Sequence, residues 1–420
     1  MINNKIEINE DSELNKLNVQ NYSIRKEEKS KSIYSFKNLI KNKIFLIIIA
    51  FFIIGIITHI IISNFSKKYE EESLSLYDLK GIQIFKETGV LSFNKLDEIM
   101  FGNKTEYSNF NNIHIAMSFD NNYYLLSSTT IASLLKNSDK TTYIHLHIIT
   151  VENFLYSTMK KLNSLKYKIN NNCEFIFHNG SKAEIDFGYQ IKSEPYGVGE
   201  YARLLTPELI NETDRILVTD SGDLFIEKDL WELYNYPLND KLIMGVVDPY
   251  TKCFPEYDFF KKENYFNGGV LLFNSKKWRE MGIYQDIVKF YNTFKYKGRL
   301  PTPIQDILNT FFPSLAIGLL PLRYNFQGFY DLNQSIEDNK YSSFSSIYSL
   351  ECSLYCRKEG ILIEEEKNLV IRHNNKLKVH LGESPYSFNL KWNDYAKLTG
   401  FYEEICIKYP SGCHYSFNFE

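Results

Sequence analysis

Residues 215–234, RILVTDSGDLFIEKDLWELY, carry an apolar run that ends abruptly in two acids, Asp220 and Asp223, separated by Ser221 and Gly222. A buried strand that delivers carboxylates at its carboxyl end is where open α/β sheets place ligands, and hard carboxylate oxygens there suit Mg²⁺ or Mn²⁺. The same residues also read as an Asx/Gly turn with two solvated acids, and the stretch alone leaves both readings open. A second strand end carries Asp120-Asn121-Asn122-Tyr123. An acid, an amide and an aromatic there could hold a nucleotide base, or could simply open a helix with a polar cap. Arg203 offers a guanidinium suited to phosphate or carboxylate, and is otherwise a helix-surface arginine.

These residues need strands to present them and helices to cover the strands. Short apolar runs at 114–119, 143–150, 173–177, 216–218, 242–247 and 269–273 read as strands. Between them, 124–135, 152–168, 200–210 and a short piece from Asp229 have helical spacing; Ser275 is expected to cap a helix reaching Phe294, and Pro303 to start another. Strands alternating with helices predict a mostly parallel sheet covered on both faces.

The chain has 420 residues and a formal net charge of -3, enough for one large domain with accessory segments and no push toward nucleic acid. Residues 1–43 form a polar tail, basic in its second half. Residues 44–62, IFLIIIAFFIIGIITHIII, contain no Asp, Glu, Lys or Arg and approach the length that spans a bilayer. Basic residues precede this run and Glu70, Glu71 and Glu72 follow it, so the positive-inside rule predicts a type II signal anchor with the remainder lumenal or extracellular. The expected organisation is therefore tail 1–43, anchor 44–62, stem 63–112 and catalytic domain 113–420. Glycosylation acceptor patterns at Asn103, Asn179, Asn211 and Asn333 all fall after the anchor, as do the six cysteines. Cys352/Cys356 and Cys406/Cys413 are near pairs and plausible bridges, with connectivity left open.

From Ile113 to about His380 the chain resembles the family 8 glycosyltransferases, through motifs in the family's order: Asp120-Asn121-Asn122-Tyr123, Glu200-Tyr201-Ala202-Arg203-Leu204, the Asp220/Asp223 stretch, Asp248, Tyr265-Phe266-Asn267-Gly268-Gly269-Val270, Gln305-Asp306, Arg323-Tyr324-Asn325-Phe326, and Arg372-His373 with Lys378. The resemblance implies a GT-A fold, a Rossmann-like nucleotide-sugar-binding architecture. It also implies retaining transfer of a hexose or pentose from a UDP-sugar, with Mn²⁺ or Mg²⁺ as cofactor. Carried onto this chain, it implies that Asp120, Asn122 and Tyr123 hold the uracil and Arg203 faces the sugar–diphosphate region. Asp220, Asp223 and His373 would bind the metal, and Lys378 the pyrophosphate. Asn267, Asp248, Gln305 and Asp306 would surround the sugar. The family's Asp-x-Asp is here Asp-Ser-Gly-Asp, and Ile304 replaces the acid before Gln305-Asp306.

The reading that follows is a Golgi-type, single-pass, metal-dependent retaining glycosyltransferase acting on a glycan, protein or lipid acceptor. Front-face attack guided by the leaving phosphate is expected, because no carboxylate presents itself as a nucleophile. The alternative, motivated by the altered turn and by Ile304, is a membrane-anchored homologue that binds UDP-sugars or glycans without transfer.

Overall fold

The computed structural model describes residues 74–151, 154–188, 197–248, 265–294, 302–327, 365, 367–374 and 386–413. The expected anchor at 44–62, Lys378, Asn333, Cys253, Cys352 and Cys356 lie outside the described residues. Among the described residues, no helix is long and apolar enough to cross a membrane.

Eleven strands are described: β1 (Val90–Ser92), β2 (Asn111–Phe119), β3 (Thr142–Thr150), β4 (Cys173–Asn179), β5 (Arg215–Thr219), β6 (Leu224–Ile226), β7 (Ile243–Val247), β8 (Phe266–Asn274), β9 (Ile317–Leu320), β10 (Phe326–Gln327) and β11 (Ile371–His373). Eight form one sheet in the order β1-β4-β3-β2-β5-β8-β7-β9, and β10-β11-β6 form a second. Strands β4, β3, β2 and β5 are parallel, as the alternation of strand and helix predicts. Strand β8 runs antiparallel to β5 and β7. The chain builds outward from β2 to β3 and β4, then returns to place β5 on the other side of β2. The carboxyl ends of β2 and β5 therefore flank a topological switch point, the crevice where α/β sheets bind ligands. Asp120 follows β2 and Asp220 follows β5.

Both faces of the sheet are covered. All nine residues of β3 are buried, and two apolar clusters lie on its two sides, one containing Ile115, Leu146 and Trp392, the other Ile149, Phe273 and Trp278. This explains why the strand sequences are almost continuously apolar rather than alternating.

The helix Tyr124–Asn137 is buried from Leu125 through Leu135 although it contains SSTTIAS. Its short hydroxyls make that burial tolerable. Ser128 Oγ and Ser133 Oγ donate to carbonyls of their own helix. Thr130 Oγ1 accepts from Gly222 N at 2.8 Å and donates to the Leu224 carbonyl at 2.9 Å, and Ser133 Oγ accepts from Ile226 N. The helix is thereby stitched to the Asp-Ser-Gly-Asp turn and to β6.

Three expectations are corrected. Of the stretch expected to be a stem over 63–112, residues 77–112 belong to the folded unit from Tyr77 onward: β1 pairs with β4, and Leu91, Phe93 and Leu96 enter the core. The helix expected from Ser275 to Phe294 is two helices, Ser275–Glu280 and Ile283–Thr293, broken at Gly282 in the left-handed region (φ +63°). Its cap is Asn274, whose Oδ1 accepts from Lys277 N. The helix expected over 200–210 is Gly197–Ala202, a 3₁₀ turn and Thr206–Leu209.

Candidate active site

The Asp-Ser-Gly-Asp turn begins where Asp220 N donates to the Gly269 carbonyl of β8 at 2.7 Å. Gly222 adopts φ +93°, and a Cβ there would meet Leu126 Cβ at 3.0 Å, so the extra turn residue must be glycine. Ser127 Oγ donates to Ser221 Oγ at 2.9 Å. The turn thus accommodates the wider spacing and returns Asp223 beside Asp220. On the far side, β11 pairs with β6, and Asn374 N donates to the Asp223 carbonyl at 2.8 Å, bringing His373 onto both acids.

His373 Nε2 lies 3.7 Å from Asp220 Oδ2 and 3.7 Å from Asp223 Oδ1. The side chain is buried, and this nitrogen has no hydrogen-bond partner among the described residues. A chain of contacts fixes its tautomer. Gly269 N can only donate, and it donates to Asn267 Oδ1. Asn325 Nδ2 then donates to the same oxygen at 2.8 Å, which turns Asn325 Oδ1 toward His373 Nδ1 at 2.9 Å. Nδ1 carries the proton, and the lone pair on Nε2 faces the carboxylates. A ligating histidine held through its other nitrogen is a recurrent feature of metal centres. The three ligand atoms lie within 4.8 Å of one another, a separation that one cation with ligand bonds of about 2.1 Å can bridge after small adjustments. Gly269 leaves the space: a Cβ there would lie 2.4 Å from His373 Cε1 and 2.7 Å from Asp220 Oδ2. The two carboxylates and one imidazole fit a divalent cation.

Arg203, expected to face the sugar–diphosphate region, lies against Asp220. It is buried, its guanidinium holds Asp220 Oδ1 at 2.6 Å, and it donates to the Gly268 carbonyl at 3.0 Å. Burial opposes its charge, but Asp220 and Glu200 outweigh that and push its pKa up. It orients one oxygen of Asp220 and leaves the other toward His373.

The expected sugar residues form a network continuous with this centre. Asn267 Nδ2 and Gln305 Nε2 both donate to Asp248 Oδ2, at 3.1 and 2.9 Å. Gln305 Oε1 accepts from Gly268 N at 2.8 Å, and Gln305 Nε2 also reaches Tyr265 Oη. All three of Asp248, Asn267 and Gln305 are largely buried. Asp306, expected to contact the donor, is fully buried instead. Its carboxylate accepts from the Tyr265 hydroxyl and from Thr302 N, and so supports Tyr265. Burial raises its pKa to about 6.

At the end of β2, Asp120 Oδ1 accepts from Asn122 N and Tyr123 N, closing the turn before the helix Tyr124–Asn137. Tyr123 is half-exposed at the mouth of the crevice. Its surroundings include two residues that the sequence did not flag. Lys408 Nζ and Tyr409 Oη donate to the Asn122 carbonyl at 2.7 and 2.9 Å. Burial, followed by Tyr123 and Asp120, pushes the Tyr409 hydroxyl up to about 12. Both residues lie in the loop closed by the Cys406–Cys413 disulfide. The cysteine spacing signals a local clip, but nothing in the sequence says what the clip holds. A separate cavity of about 640 Å³, lined in part by Asn111, Thr142, Lys228 and Arg323, opens at the amino ends of β2 and β3 and includes none of these residues.

The sequence profile described as "Glycosyl transferase family 8" matches residues 114–347, more than half of the chain. This chain belongs to glycosyl transferase family 8. It is similar to the general stress protein A of Bacillus subtilis, 24% identical over 203 residues that cover 47% of this chain and 68% of that protein. It is similar also to the "Probable galacturonosyltransferase-like 4" of Arabidopsis thaliana, 26% identical over 206 residues that cover 45% and 56%. A Haemophilus influenzae relative, 28% identical over 209 residues, is spanned over 58% of its length. Among solved structures, the WbbM bifunctional glycosyltransferase superposes with a TM-score of 0.55 at 19% identity, covering 73% of this chain and 53% of that one. The galactosyltransferase LgtC, in complex with donor and acceptor sugar analogs, gives 0.50 at 21% identity, covering 69% and 95%. These likenesses show the fold, the GT-A fold of family 8.

Proposed function

We propose that this family 8 chain is a retaining glycosyltransferase that moves a sugar from a UDP-sugar to a carbohydrate-bearing acceptor with the help of Mn²⁺ or Mg²⁺. The observation that carries the proposal is the buried, unpartnered Nε2 of His373, oriented by Asn325 toward Asp220 and Asp223. A divalent cation held there would neutralise charge accumulating on the departing diphosphate. Arg203 keeps Asp220 in place. Asp248, Asn267 and Gln305 present a buried polar wall to sugar hydroxyls, and Asp120, Asn122 and Tyr123 receive the base. Lys378, five residues beyond His373, supplies positive charge to the diphosphate in this reading. Residues 44–62 anchor the chain in a secretory-pathway membrane as a type II protein, with the catalytic domain lumenal. Exposure of Asn103, Asn179 and Asn211 and the Cys406–Cys413 bridge accord with an oxidising, glycosylating compartment.

The alternative, a UDP-sugar-binding homologue without transfer, was motivated by the widened acidic turn. Convergence of both carboxylates on one imidazole favours the transferase. A panel of UDP-glucose, UDP-galactose, UDP-xylose and UDP-N-acetylglucosamine, scored for UDP release and for the anomeric configuration of the product, tests the proposal. Release from at least one donor with retention is expected; tight UDP binding with no turnover of any donor would favour the alternative.

A further inference from the structure

The donor site leaves unused a row of imidazoles on one face of the sheet: His114 on β2, His145 and His147 on β3, and His178 on β4. His145 is taken up by Glu174 and by Asn112. The other three bond to one another instead. His114 Nδ1 and His147 Nε2 are 3.0 Å apart. Glu212, in the segment before β5, brings Oε1 to 3.9 Å from the same nitrogen of His147. The ligand atoms of His114, His147 and Glu212 all lie within 4.8 Å of one another. His147 is fully buried, and its Nδ1 lies 2.9 Å from His178 Nε2.

We infer that His114, His147 and Glu212 form a second metal site, for Zn²⁺ or a similar transition ion, on β2 and β3 away from the donor crevice. Two imidazoles and one carboxylate, with a fourth position left for water, are a typical zinc donor set; the Asp220/Asp223/His373 centre is richer in hard oxygen. Tetrahedral ligands at about 2.0–2.1 Å stand roughly 3.3 Å apart. The two nitrogens need to separate by only a few tenths of an ångström, and Glu212 needs to close on His147 by about half an ångström. Glu212 is exposed, so it has room to move and gives the ion a way in. His178 orients His147 in the way Asn325 orients His373: with His147 Nδ1–H donating to His178 Nε2, the Nε2 lone pair faces the site. Occupation requires His114 to shift its proton from Nδ1 to Nε2, with no net change in charge. Along β2, His114 is six residues from Asp120, roughly 20 Å at the rise of a strand, so the two centres are separate.

Zn²⁺ bound per chain, counted on the purified full-length protein, tests this. Co²⁺ substitution adds a d–d absorption band as a signature of nitrogen and oxygen ligation. The expectation is two equivalents for the wild type, one for His373→Ala, one for Glu212→Gln, and loss of the second site in His147→Gln. Glu212 is exposed, so Glu212→Gln decides even where the buried His147→Gln fails to fold. A Glu212→Gln chain that keeps the wild-type Zn²⁺ stoichiometry and affinity with an unchanged Co²⁺ spectrum overturns the inference, whatever the occupancy of the donor centre.

Discussion

His373 Nδ1 and Asn325 Oδ1 are 2.9 Å apart, and this contact decides which nitrogen of the histidine faces Asp220 and Asp223. Asn325 touches neither acid in the contacts described above, yet the direction of the imidazole lone pair depends on it. Asn325→Ala is therefore expected to lower Mn²⁺ affinity by about 10- to 100-fold, the usual cost of losing such an orienting partner. Turnover at saturating Mn²⁺ should fall much less. A Mn²⁺ titration of activity, paired with calorimetric binding, separates the two effects.

Gly269 makes a steric prediction. A methyl group there meets His373 Cε1 at 2.4 Å and Asn267 Oδ1 at 2.9 Å, both held in the same network. Gly269→Ala is expected to cost about 1–3 kcal/mol of stability, as overpacking does, and to abolish measurable Mn²⁺ binding. Thermal unfolding and calorimetry read the two outcomes independently.

The disulfide-closed loop predicts an effect on donor binding. Lys408 and Tyr409 both hold the Asn122 carbonyl at the proposed base turn. Removing one such bond costs about 1 kcal/mol. Tyr409→Phe should raise the donor KM roughly 5-fold with kcat nearly unchanged, and Cys406→Ser, or reduction of the wild type, should act in the same direction. A KM that does not move in either variant would detach the loop from the site.

Asp306 sets a pH dependence. Its pKa is raised by burial from an ordinary aspartate value to about 6. A carboxyl whose folded pKa lies above its unfolded one stabilises the fold when protonated and loses that contribution as pH rises. Between about pH 4 and 6 the wild type should therefore lose stability relative to Asp306→Asn, by on the order of 2–3 kcal/mol. Denaturant unfolding of both proteins across that range measures the difference.

The architecture was legible in the sequence because its strands are long apolar runs separated by helical spacing. The strand ends carrying Asp120, Asp220 and Asp248 could be placed for the same reason. The family's motif order brought Asn267, Gln305 and His373 together before any coordinates did. The motif Gln305-Asp306 points to contact with the donor at both residues, whereas Asp306 is fully buried and supports Tyr265. A motif carries residue identity but says nothing of burial. The segment expected to be a stem looked peripheral because β1 is only three residues long, and its place at the sheet edge depends on pairing with β4, more than eighty residues away. Lys408 and Tyr409 gave no local signal, since their partner lies at Asn122, far away in the chain.

In the proposed function, Asp220, Asp223 and His373 hold a divalent cation on which sugar transfer depends. The most direct measurement is UDP release from the preferred donor by the purified chain, before and after EDTA and after return of Mn²⁺, in wild type and in Asp223→Ala. Activity should be lost with EDTA and recovered with Mn²⁺, and Asp223→Ala should show a defect of at least about 100-fold, on the order of 3 kcal/mol of transition-state stabilisation. Full activity in EDTA, or wild-type turnover in Asp223→Ala, would contradict it.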